Sequence, residues 1–184
     1  MNAITRNQLA QIDVPTVSFE LNGRSVTGRA NQTILEIADL EGIEIPRLCY
    51  KDGLEAAGNC RSCMVEIDGE RVLAPSCCRF PSAGMKVTSD SARAVSAQKM
   101  VLELLLSDMP ETDYTRHNEV DQWAAKLDVG KPRFEARARV ASDYSHAAMS
   151  VNLDACIQCT RCVRACRDEQ MNGVIGLSLR GEGT

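Results

Sequence analysis

The cysteine pair at the centre of the N-terminal half lies in the stretch Ala57-Gly58-Asn59-Cys60-Arg61-Ser62-Cys63-Met64-Val65-Glu66. Working outward, Cys49 precedes the pair with ten residues between, and Cys77 follows it with thirteen residues between. Four thiolates suffice for a 2Fe-2S cluster, two on each iron, although this spacing differs from the C-x4-C-x2-C of plant-type ferredoxins. The pattern predicts a 2Fe-2S site formed by Cys49, Cys60, Cys63 and Cys77.

Two features beside this set add to the prediction. The loop of residues 51–59 contains two glycines, which would let backbone N–H groups approach the sulfurs and stabilise the added electron. Cys78 follows Cys77 directly. If this segment is extended, neighbouring side chains point to opposite faces. We therefore expect Cys78 to be a spare buried thiol rather than the ligand.

A second cysteine run, Cys156-Ile-Gln-Cys159-Thr-Arg-Cys162-Val-Arg-Ala-Cys166, follows much later in the chain. It has the C-x2-C-x2-C-x3-C spacing with which bacterial-type ferredoxins hold 4Fe-4S clusters, and in two-cluster ferredoxins the fourth cysteine of such a run ligates the other cluster. The spacing predicts one 4Fe-4S cluster on Cys156, Cys159 and Cys162. Cys166 would ligate a second 4Fe-4S cluster, or that second site would remain unfilled, since no second cysteine run appears before Thr184. A zinc site is the alternative.

The pattern around the cysteines predicts an α+β fold class. Residues 14–90 form the first domain. Asn22-Gly23 joins the strands of a hairpin over 16–29, and Thr33 and Glu36 make a capping box for a helix that ends near Gly42. Residues 64–67 and 71–74 read as a second hairpin, and residues 85–88 as a closing strand.

The remaining chain divides into a linker region, residues 91–148, and a terminal segment, residues 149–184. The linker begins with a long helix that starts at residue 89 or 90 and ends near 108, and a shorter helix over 119–127 carries the only tryptophan. The polar connector that follows is either a solvated linker or a surface that binds an anionic partner. Its arginines are Arg133, Arg137 and Arg139. The terminal segment contains the cluster loop, a helix to about residue 170 and an apolar strand over 174–179.

Composition narrows the function classes. The 184 residues carry a net charge of -4, which argues against a nucleic-acid partner, since such partners are held by basic surface. No apolar run reaches the length of a membrane span, and the first residues lack the apolar stretch of a secretory signal. We therefore expect a cytoplasmic chain without a membrane anchor. Nine cysteines in such a chain indicate metal or redox chemistry rather than disulfides.

Four segments together resemble a known family: residues 45–50 (IPRLCY), 57–66, 74–77 (APSC) and 154–166. They resemble the amino-terminal iron-sulfur region shared by three proteins: the alpha subunit of NAD-dependent molybdenum or tungsten formate dehydrogenases, the large iron-sulfur subunit of complex I, and the diaphorase subunit of NAD-reducing hydrogenases. The formate dehydrogenases fit best. The resemblance implies a β-grasp 2Fe-2S ferredoxin domain, a linking helix with a helical connector, and part of a bacterial-type 4Fe-4S module.

The chain departs from these relatives in two ways. Many of them have a His-Pro-x-x-Cys-x-x-Cys-x5-Cys pattern after the linking helix, where this chain has residues 109–116 and later Gln122, so we expect the histidine-ligated cluster to be absent. The formate dehydrogenases also continue through another four-cysteine run and a molybdopterin domain. The lone histidines His117 and His146 are expected to be neither catalytic nor metal ligands.

These observations predict an electron-transfer chain with no catalytic residues of its own. It would pass single electrons between flavin/NAD-binding diaphorase subunits and a molybdenum or tungsten formate dehydrogenase centre. The alternatives are an iron-sulfur subunit of an NAD-linked hydrogenase or complex I-like enzyme, or a zinc-binding adaptor without redox activity. Four arginines beside the cysteines would offset the charge of the clusters, steer a partner or simply lie at the surface: Arg61, Arg161, Arg164 and Arg167.

Overall fold

The computed structural model of the protein describes residues 14–109, 118–139 and 141–178. His117, which we expect not to be a metal ligand, and residue 179, the last of the predicted terminal strand, lie outside these ranges. Within them, no helix combines the length and the apolar character needed to cross a membrane.

The first domain opens with the expected hairpin. Strands β1 (Thr16–Leu21) and β2 (Arg24–Arg29) pair antiparallel along their full length. Asn22 has φ 51 and Gly23 has φ 75. Positive φ at both turn residues matches the twist of the two flanking strands, which is why Asn-Gly is strongly preferred there.

Helix α1 (Ile34–Leu40) begins at the predicted capping box. The backbone N–H of Glu36 donates to Thr33 Oγ1 at 3.3 Å, and the backbone N–H of Thr33 donates to Glu36 Oε2 at 2.7 Å. Gly42, just past the end, has φ +69, a left-handed position that glycine occupies without steric cost. The inner face of α1 covers the sheet, where a continuous apolar core includes Phe19, Leu21, Leu35, Ile37, Val65 and Val87.

Three further strands complete a five-stranded sheet: β3 (Met64–Ile67), β4 (Ala74–Pro75) and β5 (Lys86–Thr88). The strand order is β2-β1-β5-β3-β4, with β5 parallel to β1 and antiparallel to β3. The predicted strand over 71–74 is wrong except at its last residue. Only Ala74 and Pro75 pair with β3, and Val72 is exposed. The backbone turns and bends over residues 68–72 instead, and the N–H of Glu70 donates to the carbonyl of Ile67.

Two helices form a second core beside the sheet. Helix α2 (Ala92–Asp108) begins at Ser91, and helix α3 (Glu119–Lys126) begins at Asn118. Their apolar faces enclose a buried group from three segments, Leu48, Leu102 and Val120. The buried amide of Gln98 also donates to the carbonyls of Met64 and Ser89, at 2.8 and 3.0 Å, and so fastens α2 to the sheet.

The connector over residues 131–139 is largely exposed, as expected of a solvated linker, but its arginines also form specific contacts within the chain. Arg133 makes a bidentate pair with Glu103 on α2, with N···O distances of 2.7 and 2.8 Å. Arg137 donates to the carbonyls of Leu153 and Asp154. Arg139 donates to the Asp154 carboxylate and to the carbonyl oxygens at the end of α2. The connector therefore links α2 to the start of the second cysteine run.

The terminal segment and the residues just before it have different strands from the one predicted. A hairpin of β6 (Asp143–His146) and β7 (Met149–Val151), absent from the sequence prediction, precedes a short turn of helix, Leu153–Ala155. Helix α4 (Arg161–Arg164) continues as a wider π-type turn, Ala165–Glu169. Residues 174–178 are irregular and largely exposed, so the predicted strand is wrong over this part. An apolar pattern favours a strand only where another strand or a core covers it.

Gly28 marks the closest approach of β2 to α1. A Cβ added there would lie 2.3 Å from Ile37 Cδ1 and 2.5 Å from Ile37 Cγ1. We expect Gly28→Ala to lower the free energy of unfolding by about 1–3 kcal/mol, the usual cost of overpacking a core. Combining it with Ile37→Ala should give a smaller loss than the sum of the two single variants, since the truncation removes the clash. Thermal unfolding of the four proteins measures this; strict additivity would contradict the contact.

Candidate metal centre

The four cysteines of the first set come from two loops, the long connection between α1 and β3 and the turn after β4. Cys49 lies in the loop after α1, Cys60 and Cys63 lie just before β3, and Cys77 lies in the turn after β4. Cys49, Cys63 and Cys77 are buried and Cys60 is half-buried. The antiparallel pairing of β3 with β4 sets the register between Cys63 and Cys77, because the backbone N–H of Ser76 donates to the carbonyl of Cys63 at 3.0 Å.

The four thiols interact with one another in the order Cys60, Cys49, Cys77, Cys63, and these interactions shift their pKa values. A hydrogen bond from Cys60 lowers the pKa of the Cys49 thiol to about 2. A hydrogen bond from Cys77 lowers the pKa of the Cys63 thiol to about 7. The same bonds raise the pKa of the two donors, Cys60 and Cys77. The packing therefore favours thiolates at two of the four sulfurs, and the thiolate is the form that binds iron.

Backbone amides surround these sulfurs, as the glycine-containing loop predicts. The amides of Asn59 and Cys60 donate to the Cys49 sulfur, and the amide of Ser62 donates to that of Cys60. The Ser62 hydroxyl lies 3.1 Å from Cys60 Sγ, and sequence reasoning did not single it out. Such donors stabilise negative charge on sulfur, and hydrogen bonds to the sulfurs are among the factors that set cluster potentials.

The donor set fits a two-iron cluster. Within the described ranges, no three His, Cys, Asp or Glu side chains are arranged around a single metal ion. A 2Fe-2S cluster asks for something different, two thiolates on each of two irons, and the four interacting sulfurs supply that number. When bound, the cluster would accept and release one electron. The chain's own groups would hold it, exclude water and neutralise part of its charge.

Cys78 differs from its prediction. Residues 76–78 form a turn, with the backbone N–H of Cys78 donating to the carbonyl of Pro75 at 3.0 Å, and the side chain is exposed. Its sulfur lies 3.5 Å from that of Cys77 and does not point to the opposite face. Alternation between faces holds only for extended backbone. Cys78 Sγ instead packs on Gly58, where a Cβ would approach it to 2.7 Å.

The second cysteine run forms a tight loop followed by α4. Cys156 and Cys162 are exposed, while Cys159 and Cys166 are half-buried. The thiol of Cys166 donates to the carbonyl of Asn172 at 2.8 Å, so the fourth cysteine lies on the turn that leaves the helix. Assignment of these four sulfurs to a 4Fe-4S cluster is taken up as a proposal below.

Contacts between the two cysteine loops are direct. Asn59 Nδ2 donates to the carbonyl of Gln158 at 3.3 Å and lies 3.4 Å from Thr160 Oγ1. Ile157 packs into the apolar cluster that also contains Leu48 and Cys60. Spacing within each motif cannot reveal such contacts, because they join residues about a hundred positions apart in the chain.

The four arginines beside the cysteines have different environments. Arg61 is exposed, Arg161 pairs with Glu119 on α3, and Arg167 pairs with its neighbour Asp168. Arg164 is buried and donates to the carbonyls of Glu55 and Cys49 in the first loop and of Cys159 in the second. Sequence reasoning placed all four beside the cysteines but could not separate the buried one from the rest. His146 accepts a hydrogen bond from the backbone of Ala148, in the β6-β7 turn.

Comparisons with known proteins agree with this geometry. Residues 15–92 match the family described as "2Fe-2S iron-sulfur cluster binding domain". The chain is 32% identical over 181 residues to the mitochondrial NADH-ubiquinone oxidoreductase 78 kDa subunit of Candida albicans, which covers 95% of this chain. It is 33% identical over 177 residues, or 90% of its length, to the NADP-reducing hydrogenase subunit HndD of Solidesulfovibrio fructosivorans.

A solved structure extends the similarity to three dimensions. A chain of an NAD+-reducing [NiFe]-hydrogenase in the H2-reduced state superposes with a TM-score of 0.82 at 25% identity, covering 91% of this chain and 72% of that one. The present chain spans only 24% and 30% of the two sequence relatives above. These matches confirm the expected mixed α/β fold with a 2Fe-2S ferredoxin-type domain over residues 15–92.

The contact between Gly58 and Cys78 yields a test of the cluster loop. Gly58→Ala introduces both a left-handed alanine at φ +62 and a close contact with Cys78 Sγ. Gly53→Ala, at φ +84 in open space, introduces backbone strain alone. We expect Gly53→Ala to cost about 1–2 kcal/mol and Gly58→Ala about 1–3 kcal/mol more. Thermal unfolding and the half-life of the visible absorbance report both effects.

The double variant Gly58→Ala with Cys78→Ala separates the two contributions. It removes the sulfur that the new methyl group meets and should recover most of the difference from Gly53→Ala. Equal losses in Gly58→Ala and Gly53→Ala would show that the close approach of Cys78 does not constrain this loop.

Proposed function

We propose that this chain is an iron-sulfur electron relay within an NAD-linked oxidoreductase, and that its two cysteine loops hold successive clusters. Cys49, Cys60, Cys63 and Cys77 would ligate the 2Fe-2S cluster. Cys156, Cys159 and Cys162 would ligate a 4Fe-4S cluster, and Cys166 would serve a further 4Fe-4S cluster or stay free. The single observation that carries the proposal is the direct hydrogen bonding between the two cysteine loops, through Asn59 and Thr160.

Adjacent loops favour a relay over two independent structural sites. Electrons pass efficiently only between centres held close together in protein, and here the two loops share hydrogen bonds and an apolar cluster. The second run is half exposed, as a terminal relay centre that meets a partner would be. The relatives described above carry the names of NADH-ubiquinone oxidoreductase and NADP-reducing hydrogenase subunits, which supports nicotinamide-linked electron transfer here.

The proposed partners follow from this role. Flavin/NAD-binding diaphorase subunits would exchange electrons with one end of the relay, and a molybdenum or tungsten formate dehydrogenase centre with the other. The formate assignment rests on the segment resemblance, residues 45–50, 57–66, 74–77 and 154–166. The matched relatives named for hydrogenase and NADH oxidation supply the competing assignment, an iron-sulfur subunit of a hydrogenase or of a complex I-like enzyme.

Cluster content tests the relay. The anaerobically purified, dithionite-reduced protein should contain about six irons per chain, the sum of one two-iron and one four-iron centre, and give two paramagnetic resonance signals with different relaxation. A 2Fe-2S signal with about two irons would contradict the second cluster. A colourless protein with bound zinc would overturn the relay altogether and support the adaptor alternative.

Substitution separates the ligands from their neighbour. Cys60→Ser and Cys63→Ser should abolish the 2Fe-2S signal and lower the thermal midpoint, because cluster binding and folding are coupled. Cys78→Ser is the matched control, since it removes an exposed sulfur 3.5 Å from Cys77 Sγ and should leave the signal intact. If Cys78→Ser loses the cluster, the fourth ligand is Cys78 and not Cys77.

The catalytic partner is identified on the native assembly. The complex purified from its source through a tag on this chain should couple formate oxidation to NAD+ reduction, and molybdenum or tungsten should copurify in stoichiometric amount. Hydrogen-dependent NAD+ reduction with nickel, or quinone reduction without molybdenum or tungsten, would overturn the formate assignment and leave the relay in place.

A further inference from the structure

Arg164 is the contact by which the second cysteine segment reaches into the first cluster loop. Only 5% of the surface of Arg164 is exposed to solvent. It lies in a short helix between Cys162, which is exposed, and Cys166, which is half-buried. The guanidinium donates to the carbonyl of Cys49 and to that of Glu55, residues 115 and 109 positions away in the chain. It also donates to the carbonyl of Cys159 at 3.4 Å and, through Nε, to Thr160 Oγ1 at 3.2 Å.

Every oxygen that accepts from Arg164 is formally neutral. In the part of the chain that the structure describes, these acceptors are three backbone carbonyls and one hydroxyl. The nearby carboxylate of Asp168, whose pKa Arg164 helps to lower, is already paired with Arg167. A buried cation without a paired anion is costly, so a neighbouring negative charge is needed to hold it.

We propose that Arg164 is a positioning residue of the 2Fe-2S centre, a buried cation supplied by the second cysteine segment that sets the reduction potential of the first cluster. This inference rests on the proposed 2Fe-2S ligand set. It assigns Arg164 no contact with the cluster itself and no part in catalysis.

Two consequences follow from charge and geometry. Reduction adds one negative charge to the cluster, and a fixed cation beside the ligand Cys49 stabilises the reduced form, which raises the potential. The planar guanidinium also reaches several carbonyls at once, which the ammonium group of lysine cannot do with the same geometry. Arg164 therefore fixes the Cys49 end of the loop while the backbone N–H of Cys49 is directed towards Cys60 Sγ, 3.4 Å away.

Redox titration of the full chain, followed by the 2Fe-2S paramagnetic resonance signal, tests the assignment. Arg164→Gln should shift the reduction equilibrium at least tenfold towards the oxidised cluster, a fall of about 59 mV for a one-electron couple. Arg164→Lys keeps the charge and should stay within about threefold of the unmodified protein. Arg167→Gln removes the same charge from an exposed position three residues away and should also stay within about threefold.

Asn59→Ala serves as a second control, since it removes an uncharged contact between the same two loops. It should lower the thermal midpoint but shift the equilibrium by less than about threefold. A shift in Asn59→Ala as large as in Arg164→Gln would show that loosening of the loops, not charge, moves the potential, and would overturn the proposal.

The remaining outcomes are also decisive. An unchanged potential in Arg164→Gln overturns the assignment. If Arg164→Gln fails to retain the cluster, the test passes to Arg164→Lys. A cluster that Arg164→Lys retains at a nearly unchanged potential supports the role of the charge. Loss of the cluster in Arg164→Lys as well overturns the proposal. Absence of any 2Fe-2S signal in the unmodified protein would instead refute the proposed ligand set, which keeps the two failures distinct.

Discussion

The packing of four cysteine sulfurs at one end of a small sheet is the constraint on which the rest of this structure depends. The sulfurs come from two loops, one between α1 and β3 and one after β4, and the sheet and α1 hold the ends of both. Three of them are buried among apolar side chains, in an environment that disfavours charge. Interactions between the thiols, and backbone amides that donate to the Cys49 sulfur, partly offset that cost and lower the pKa of the Cys49 and Cys63 thiols.

The second half of the chain is organised around the same end of the sheet. Helices α2 and α3 pack against Leu48, directly before Cys49, and the connector arginines fasten α2 to the start of the second cysteine run. Arginine is suited to this role, because its planar fork bonds several acceptors at fixed geometry. Arg133 and Arg139 of the connector are thus paired with carboxylates of the same chain.

Local signals in the sequence predicted much of this fold, and long-range contacts explain where prediction failed. The Asn22-Gly23 turn and the Thr33 capping box are complete within a few residues, so the sequence alone specifies them. The strand predicted before Ala74 failed because residues 68–72 form a turn and a bend, with the backbone N–H of Glu70 donating to the carbonyl of Ile67. Cys78 was misplaced because the segment is a turn and not extended backbone. Arg164 could not be told from its exposed neighbours, since its burial depends on loops more than a hundred residues away.

Two of the three C-x2-C pairs, Cys60/Cys63 and Cys159/Cys162, share a backbone feature that argues for coupling between metal binding and stability. The residue after the first cysteine of each pair is left-handed: Arg61 has φ 60 and Thr160 has φ 59. Neither is glycine, and for β-branched threonine this conformation is a genuine outlier. Such strain costs on the order of 1–3 kcal/mol per residue and persists only where surrounding interactions determine the backbone. Hydrogen bonds of neutral thiols are too weak to hold the backbone in this conformation. Iron-thiolate bonds, which form only in the folded loop, would hold it. The strain is thus a cost of presenting two sulfurs from one tight loop, and the bound cluster is what would offset it.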